Sequence, residues 1–231
     1  MRTLFHEDLV RVGEELVEMT NLTRSAMARA TTALLDADIK MAESVITADV
    51  EIDTRRERLD LLSFDLIARQ QPVASDLRMI VTSMRMSSDL ERMGDLARHV
   101  AKVARLRYPA SAVPPELRGT IVLMAQVAER IVTSVGSIIA ARDVDAARVI
   151  EREDDAMDDL HRELFRVLAD PEWAHGVEMA VDMTLVGRYY ERFADHAVSV
   201  AHRVIYLVTG EYEADGEGSH EDVEEGLSPS S

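Results

Sequence analysis

The run LLDADIKMAESVITADVEID, residues 34–53, returns 105 residues later as IAARDVDAARVIEREDDAMD, residues 139–158. Asp38 aligns with Asp143, Val45 with Ile150, Asp49 with Asp154 and Asp53 with Asp158. A further pair, LERMGDLA at 90–97 and YERFADHA at 190–197, aligns at an offset of 100, so the second copy has a connector five residues shorter. Such a chain is two versions of one supersecondary unit, and any fold it adopts must use that unit twice.

The unit is helical. Pro and Gly number only 6 and 10 in 231 residues, while Ala, Leu, Arg, Glu and Met, which lose little on entering a helix, dominate. Six helices are expected, at roughly 5–36, 38–69, 74–107, 114–141, 143–169 and 175–208. Asp38 and Asp143 supply N-caps, Gln71-Pro72 and Asp170-Pro171 close helices, Ser75 and Asp76 open the third, and Gly210 ends the last. The fold expected is all-α, two repeated antiparallel three-helix bundles: residues 1–108, then 114–210, as two lobes hinged at the prolines of 108–115.

The formal net charge is −17, and the last 21 residues (211–231) contribute eight acids and no Lys or Arg. That tail is expected to be disordered. An acidic body is a poor partner for nucleic acid or an anionic membrane surface, both polyanions. The most apolar stretch, 121–141, is interrupted by Glu129 and Arg130, so it is not expected to insert in a membrane. The N-terminus does not resemble a signal peptide, and the absence of cysteine excludes disulfides and thiolate chemistry. A soluble, cytoplasmic protein is the expectation.

Within the third helix of each copy, Glu91/Asp95 and Glu191/Asp195 stand one turn apart. A lone pair of this kind is usually a solvated face, and like charges at that spacing weaken a helix slightly. Here the pair recurs in both copies, each time followed by Arg (Arg92, Arg192) and with a small residue, Gly94 or Ala194, before the Asp. The second helix of each copy adds Asp49/Asp53 and Asp154/Asp158. On a helical wheel the third-helix acids oppose the apolar stripe, which places them on the outer face of each bundle. If the second and third helices are antiparallel neighbours, four carboxylates per copy could converge and take up a hard cation such as Mg²⁺, Ca²⁺, Mn²⁺ or ferric iron. Glu172-Trp-Ala-His175 has the Glu-x-x-His spacing of di-iron bundles but no second copy; His99 and His202 fit a polar surface better than a ligand role; His6 and His161 belong to no constellation.

These residues carry a resemblance. DLRMIVTSMRMSSDLERMGDLARHVA (76–101) and VGRYYERFADHAVSVAHRV (186–204), set in a twofold three-helix repeat, resemble the PhoU family of bacterial phosphate-signalling proteins. The resemblance implies iron or zinc bound at surface motifs, and so assigns Glu91, Asp95, Glu191 and Asp195 as ligands, with Asp49, Asp53, Asp154 and Asp158 beside them. It departs at Leu96, where the family commonly has His, and at His99 and Ser199, where Asn is common. It further implies a homodimeric, non-enzymatic regulator. Such a protein restrains phosphate uptake and the phosphate-starvation response by contacting a sensor histidine kinase and the ATPase of the phosphate ABC transporter. The competing expectation is a carboxylate-bridged di-metal hydrolase or oxidase, which an outward stripe without a general base or an enclosed pocket serves poorly.

Overall fold

The computed structural model describes residues 2–211, with side chains from Phe5 onward; residues 212–231 of the expected disordered tail lie outside the described residues. Among the described residues there are helices and no strand: α1 (Arg2–Asp36), α2 (Ile39–Gln70), α3 (Ala74–Arg107), a single 3-10 turn (Pro115–Leu117), α4 (Arg118–Ala141), α5 (Val144–Val149), α6 (Glu151–Leu168) and α7 (Gly176–Thr209). The two expected three-helix bundles are therefore α1–α2–α3 and α4–α5/α6–α7.

Several ends follow the sequence. Asp38 accepts from the Met41 amide at 3.0 Å and Asp143 from the Ala146 amide at 2.9 Å, equivalent caps in the two copies. Gly210 closes α7 at φ 82°, a left-handed position that suits a residue without Cβ. Two ends differ. The α3 N-cap is Val73, which makes no side-chain bond, so Ser75 and Asp76 fall inside the helix. The expected fifth helix is broken at Ile150, whose amide reaches the Ala147 carbonyl at 3.4 Å, a tightened i to i−3 step between α5 and α6.

The two bundles do not part as hinged lobes. α1 packs along α4 as well as along α2 and α3, and α3 packs along α7, so the copies share one core. The connector joins it: Ala112, Val113 and Leu117 are buried, and Arg118 donates to the Leu35 carbonyl and to Asp36 at 2.8 Å. Ion pairs cross the same seam, with Asp89 of α3 taking Arg203 of α7 at 2.7 Å. The breadth of apolar surface on 121–141 has its cause here. α4 meets the length and hydropathy of a membrane span, yet Ile121, Met124, Val127, Ala128, Ile131, Val132, Val135 and Ile138 are buried among α1, α6 and α7. Its apolar character therefore does not call for a second subunit.

Candidate metal centre

α2 and α3 run antiparallel, as do α6 and α7, and the acids of each copy line the seam between them. Only part of the set is turned inward, and Asp158 and Asp195 stay exposed. Asp49 is buried at 6% exposure, and Glu91, Asp95 and Glu191 keep 19%, 16% and 13% of their side-chain surface. The helical wheel misplaced Glu91, Asp95 and Glu191 because it allows each helix one buried side. α3 is covered by α1, α2 and α7, so the side opposite its main apolar stripe is also covered. Gly94 has a related reason. A Cβ there would stand 2.8 Å from Ile52 Cδ1 and 3.4 Å from Asp49 Oδ1, so the small residue admits α2 itself rather than leaving space for an ion.

In the first copy a cation is already present. Arg98 lies 2.6 Å from Asp49 Oδ2 and also pairs with Asp95, while Arg92 reaches Asp95 at 3.1 Å. Burial pushes the Asp49 carboxyl above its ordinary range, Arg98 opposes, and Asp53 and Asp95 add to the rise. Glu91 is raised by burial and by Asp95, against Arg92 and Arg56.

The second copy lacks that arrangement. Val198 stands where Arg98 would be. Asp154 is pushed up to about 7 by burial, with Asp195, Asp158, Glu191 and Asp155 all adding to the rise. Glu191 and Asp195 are also raised, by burial first, with Arg188 opposing in each. Arg188 pairs with Glu191 through Oε1, leaving Glu191 Oε2 buried without a hydrogen-bond partner, as is Asp154 Oδ1. Buried oxygens in that condition are costly unless a donor or an ion meets them.

His161 belongs to this seam, against expectation. Its charge interacts with Asp158, Asp195 and Arg188, and its Nε2 is buried without a partner. Its position was available in the sequence: Asp154, Asp158 and His161 fall at i, i+4 and i+7, one helical face. Three further histidines are engaged elsewhere. His99 Nδ1 meets the Asp95 carbonyl at 2.6 Å and its ring lies against Tyr189, His202 pairs with Glu151 at 2.9 Å, and His175 turns to Glu116 rather than to Glu172.

Among the described residues, no three carboxylate or imidazole groups share one coordination point. The four acids of each copy border a common seam without converging, and in the first copy Arg98 sits between two of them. Neither copy presents a preformed site. Buried oxygens without a directed hydrogen bond occur in both, Asp49 Oδ2 in the first and Asp154 Oδ1 and Glu191 Oε2 in the second, where His161 Nε2 is also unpartnered, and each seam holds an arginine paired with its acids, Arg98 and Arg188.

Two copies of an up-down-up helical unit, sharing a core and each carrying a carboxylate-lined seam between its second and third helices, define a class of all-α tandem-repeat protein. The sequence matches the PhoU domain twice, over residues 16–104 and 121–204. It is 51% identical over 212 residues to the phosphate-specific transport system accessory protein PhoU homolog 2 of Mycobacterium tuberculosis, covering 92% of this chain and all of that one. It is 50% identical to PhoU homolog 1 of Mycobacterium leprae, covering 93% of this chain and 97% of that one. The fold superposes on the crystal structure of PhoU from Pseudomonas aeruginosa with a TM-score of 0.80 at 30% identity, over 90% of this chain and 100% of the other. The chain belongs to the PhoU family.

Proposed function

We propose that this protein is a cytoplasmic accessory regulator of phosphate-specific transport, acting by contact and not by catalysis. Its relatives' printed role as transport-system accessory proteins supports this. By family resemblance its partners are the sensor histidine kinase and the ATPase of the phosphate ABC transporter, its effect is to restrain uptake and the starvation response, and its working form is a homodimer.

The observation that carries a contact role is a doubled apolar stripe. Leu77 and Val81 of α3 are each 38% exposed, and their counterparts in α7, Val177 and Val181, are 79% and 50% exposed, with Leu185 continuing the line at 41%. Large apolar side chains repeated in solvent at equivalent positions of both copies are the mark of a docking surface. The enzyme reading gains no comparable support: the surface grooves between α1 and α4 and between α4 and α6 are lined by none of the eight seam acids.

Metal binding is part of the same proposal. Asp154, Asp158, Glu191 and Asp195 would hold the ion, with Glu91, Asp95, Asp49 and Asp53 the corresponding set in the first copy; iron or zinc is the family's choice, and oxygen donors would also suit Mg²⁺, Ca²⁺ or Mn²⁺. A bound cation would neutralise the repelling acids and draw α6 and α7 together, organising a surface.

The contact reading is tested with the cytoplasmic portion of the cognate kinase and the transporter ATPase in solution. The doubly substituted Val181→Asp, Leu185→Asp protein should keep its helical circular dichroism, because both sites face solvent, and lose binding to at least one partner. Undiminished binding to both would remove the stripe from the interface.

A further inference from the structure

We propose that the acidic C-terminal segment of this chain, residues 211–231, is an in-cis cover for the exposed stripe of α3. Its carboxylates meet Arg78 and Arg85, Val223 lies against Leu77 and Val81, and the matching stripe of α7 stays open. The docking stands on the residues described below; its effect on partners rests on the contact reading above.

The two stripes share their apolar positions and differ in charge. On the wheel of α3, Val81, Arg85 and Arg78 fall at about 40°, 80° and 100° from Leu77. Leu77, Val81 and Arg85 are exposed and Arg78 is half-buried, so one face carries two apolar side chains edged by two guanidinium groups. At the 100-residue offset the same positions of α7 are Val177, Val181, Leu185 and Glu178. An acid and an aliphatic side chain thus stand where α3 has its arginines. Asp76 falls about 100° to the other side of Leu77, away from Arg78. Arg142, exposed at the end of α4, reaches the sulfur of Met79 at 3.5 Å and adds a third positive group nearby. The first stripe suits an acidic ligand with an apolar residue in it; the second, with Glu178, repels one.

The chain delivers such a ligand to that place. α7 runs antiparallel to α3, and its last turn ends on Arg78, whose Nε donates to the Leu207 carbonyl at 3.2 Å and whose guanidinium carbon lies 5.9 Å from the centre of the Tyr206 ring. Gly210 closes α7 at φ 82° against the same guanidinium, where any Cβ would meet Arg78 Nη1. The Glu211 amide then donates to the Thr209 hydroxyl at 3.1 Å, a turn that takes the chain off the helix axis. Glu211 is the first of eight acids in the last 21 residues, which hold no Lys or Arg. Within them HEDVEEGL, residues 220–227, sets Val223 between Asp222 and Glu224. The residues from Gly210 to Val223 span up to about 3.3 Å each when extended, whereas Leu77–Arg85 occupies only about 12 Å of α3, so reach is not limiting. A single exposed ion pair contributes little. Several acids on a short tether act at an effective concentration in the millimolar range, which lets weak pairs hold together.

The test uses the whole 231-residue chain. It has no cysteine, so Ser228→Cys gives one attachment point for a nitroxide. Amide NMR signals of Leu77, Val81 and Arg85 should broaden more than those of Val177, Val181 and Leu185, and should recover in about 1 M NaCl, where the Debye length is about 3 Å. Glu221→Gln, Asp222→Asn, Glu224→Gln and Glu225→Gln together alter no residue of the helices and should abolish the difference; Arg78→Gln with Arg85→Gln should do the same from the other side. Equal broadening of both stripes, or broadening that survives salt and neutralisation, would overturn the proposal. So would broadening in a mixture where one chain carries the nitroxide and another the NMR isotope, which would make a second copy the occupant. The neutralised chain should also bind the kinase's cytoplasmic portion or the transporter ATPase roughly three- to tenfold more tightly, as expected when a tethered competitor is removed. Selective broadening with unchanged partner affinity would uphold the docking and overturn its effect on partners, removing the α3 stripe from the contact reading.

Discussion

The hydroxyl of Tyr190, in α7 of the second copy, lies 2.5 Å from the hydroxyl of Thr31, in α1 of the first. Tyr190 is fully buried, and burial pushes its phenol well above the usual range, so the pair is neutral. Thr31 donates its hydroxyl proton to the Met27 carbonyl at 2.8 Å and keeps that partner if the phenol is removed. Tyr190→Phe should therefore cost about 1 kcal/mol, the net worth of one buried hydrogen bond. Urea titration should show one cooperative transition in both proteins, because the copies share a core; separate unfolding of the two copies would contradict that packing.

The metal-free protein should show an unusual pH dependence. The folded-state pKa of Asp154 is raised to about 7 from an ordinary 3.8, so between those values the folded chain holds a proton that the unfolded chain releases. Stability contributed by that proton is full at the acid end and is lost as pH rises through 7. The chelator-treated protein should accordingly melt at a higher temperature at pH 5.5 than at pH 8. Asp154→Asn should flatten that slope and raise the melting temperature at pH 8. A parallel profile in the variant would assign the dependence to other groups.

Helical glycines separate by what surrounds them. Nothing stands within 4 Å of a Cβ built on Gly13, so Gly13→Ala should stabilise α1 by about 0.5–1 kcal/mol through helix propensity alone. Gly187→Ala should destabilise by about 1–3 kcal/mol, since Leu164 and the His161 ring must both move. Gly94→Ala should fall between them, because the atom it meets first is the terminal methyl of Ile52. Melting temperatures ranked in any other order would mean that the α6–α7 seam is less tightly closed than its geometry indicates.

Ion-pair removal at the interface between copies offers a further check. Arg107 of α3 pairs with Asp182 of α7, whose side chain is 8% exposed, and reaches Glu178 at 2.9 Å. Glu178, at 85% exposure, contributes little. Asp182→Ala should lower stability clearly more than Glu178→Ala does, as read from chemical denaturation midpoints at constant m-value.

Local chemistry was enough for much of this protein. Helix-forming composition, the aspartate caps at 38 and 143, the terminal Gly210 and the 105-residue echo define an all-α tandem repeat, because each depends only on neighbours within a few residues or on self-similarity. The same patterns identified the acid pairs. What surrounds those acids was decided by tertiary packing. A single-helix wheel assumes one buried face, whereas α3 is enclosed on three sides, so Glu91 of α3 and Asp49 of α2 lie in the seam between those two helices. The role of Gly94 as a place of helix approach, the choice of Arg98 as partner to Asp49 and the arrival of His161 beside Asp195 all require knowing how helices distant in sequence are set against one another. The apolar breadth of α4 was legible, but whether a second subunit or α1 covers it was not, because hydrophobic burial is non-directional and records only that a surface leaves water.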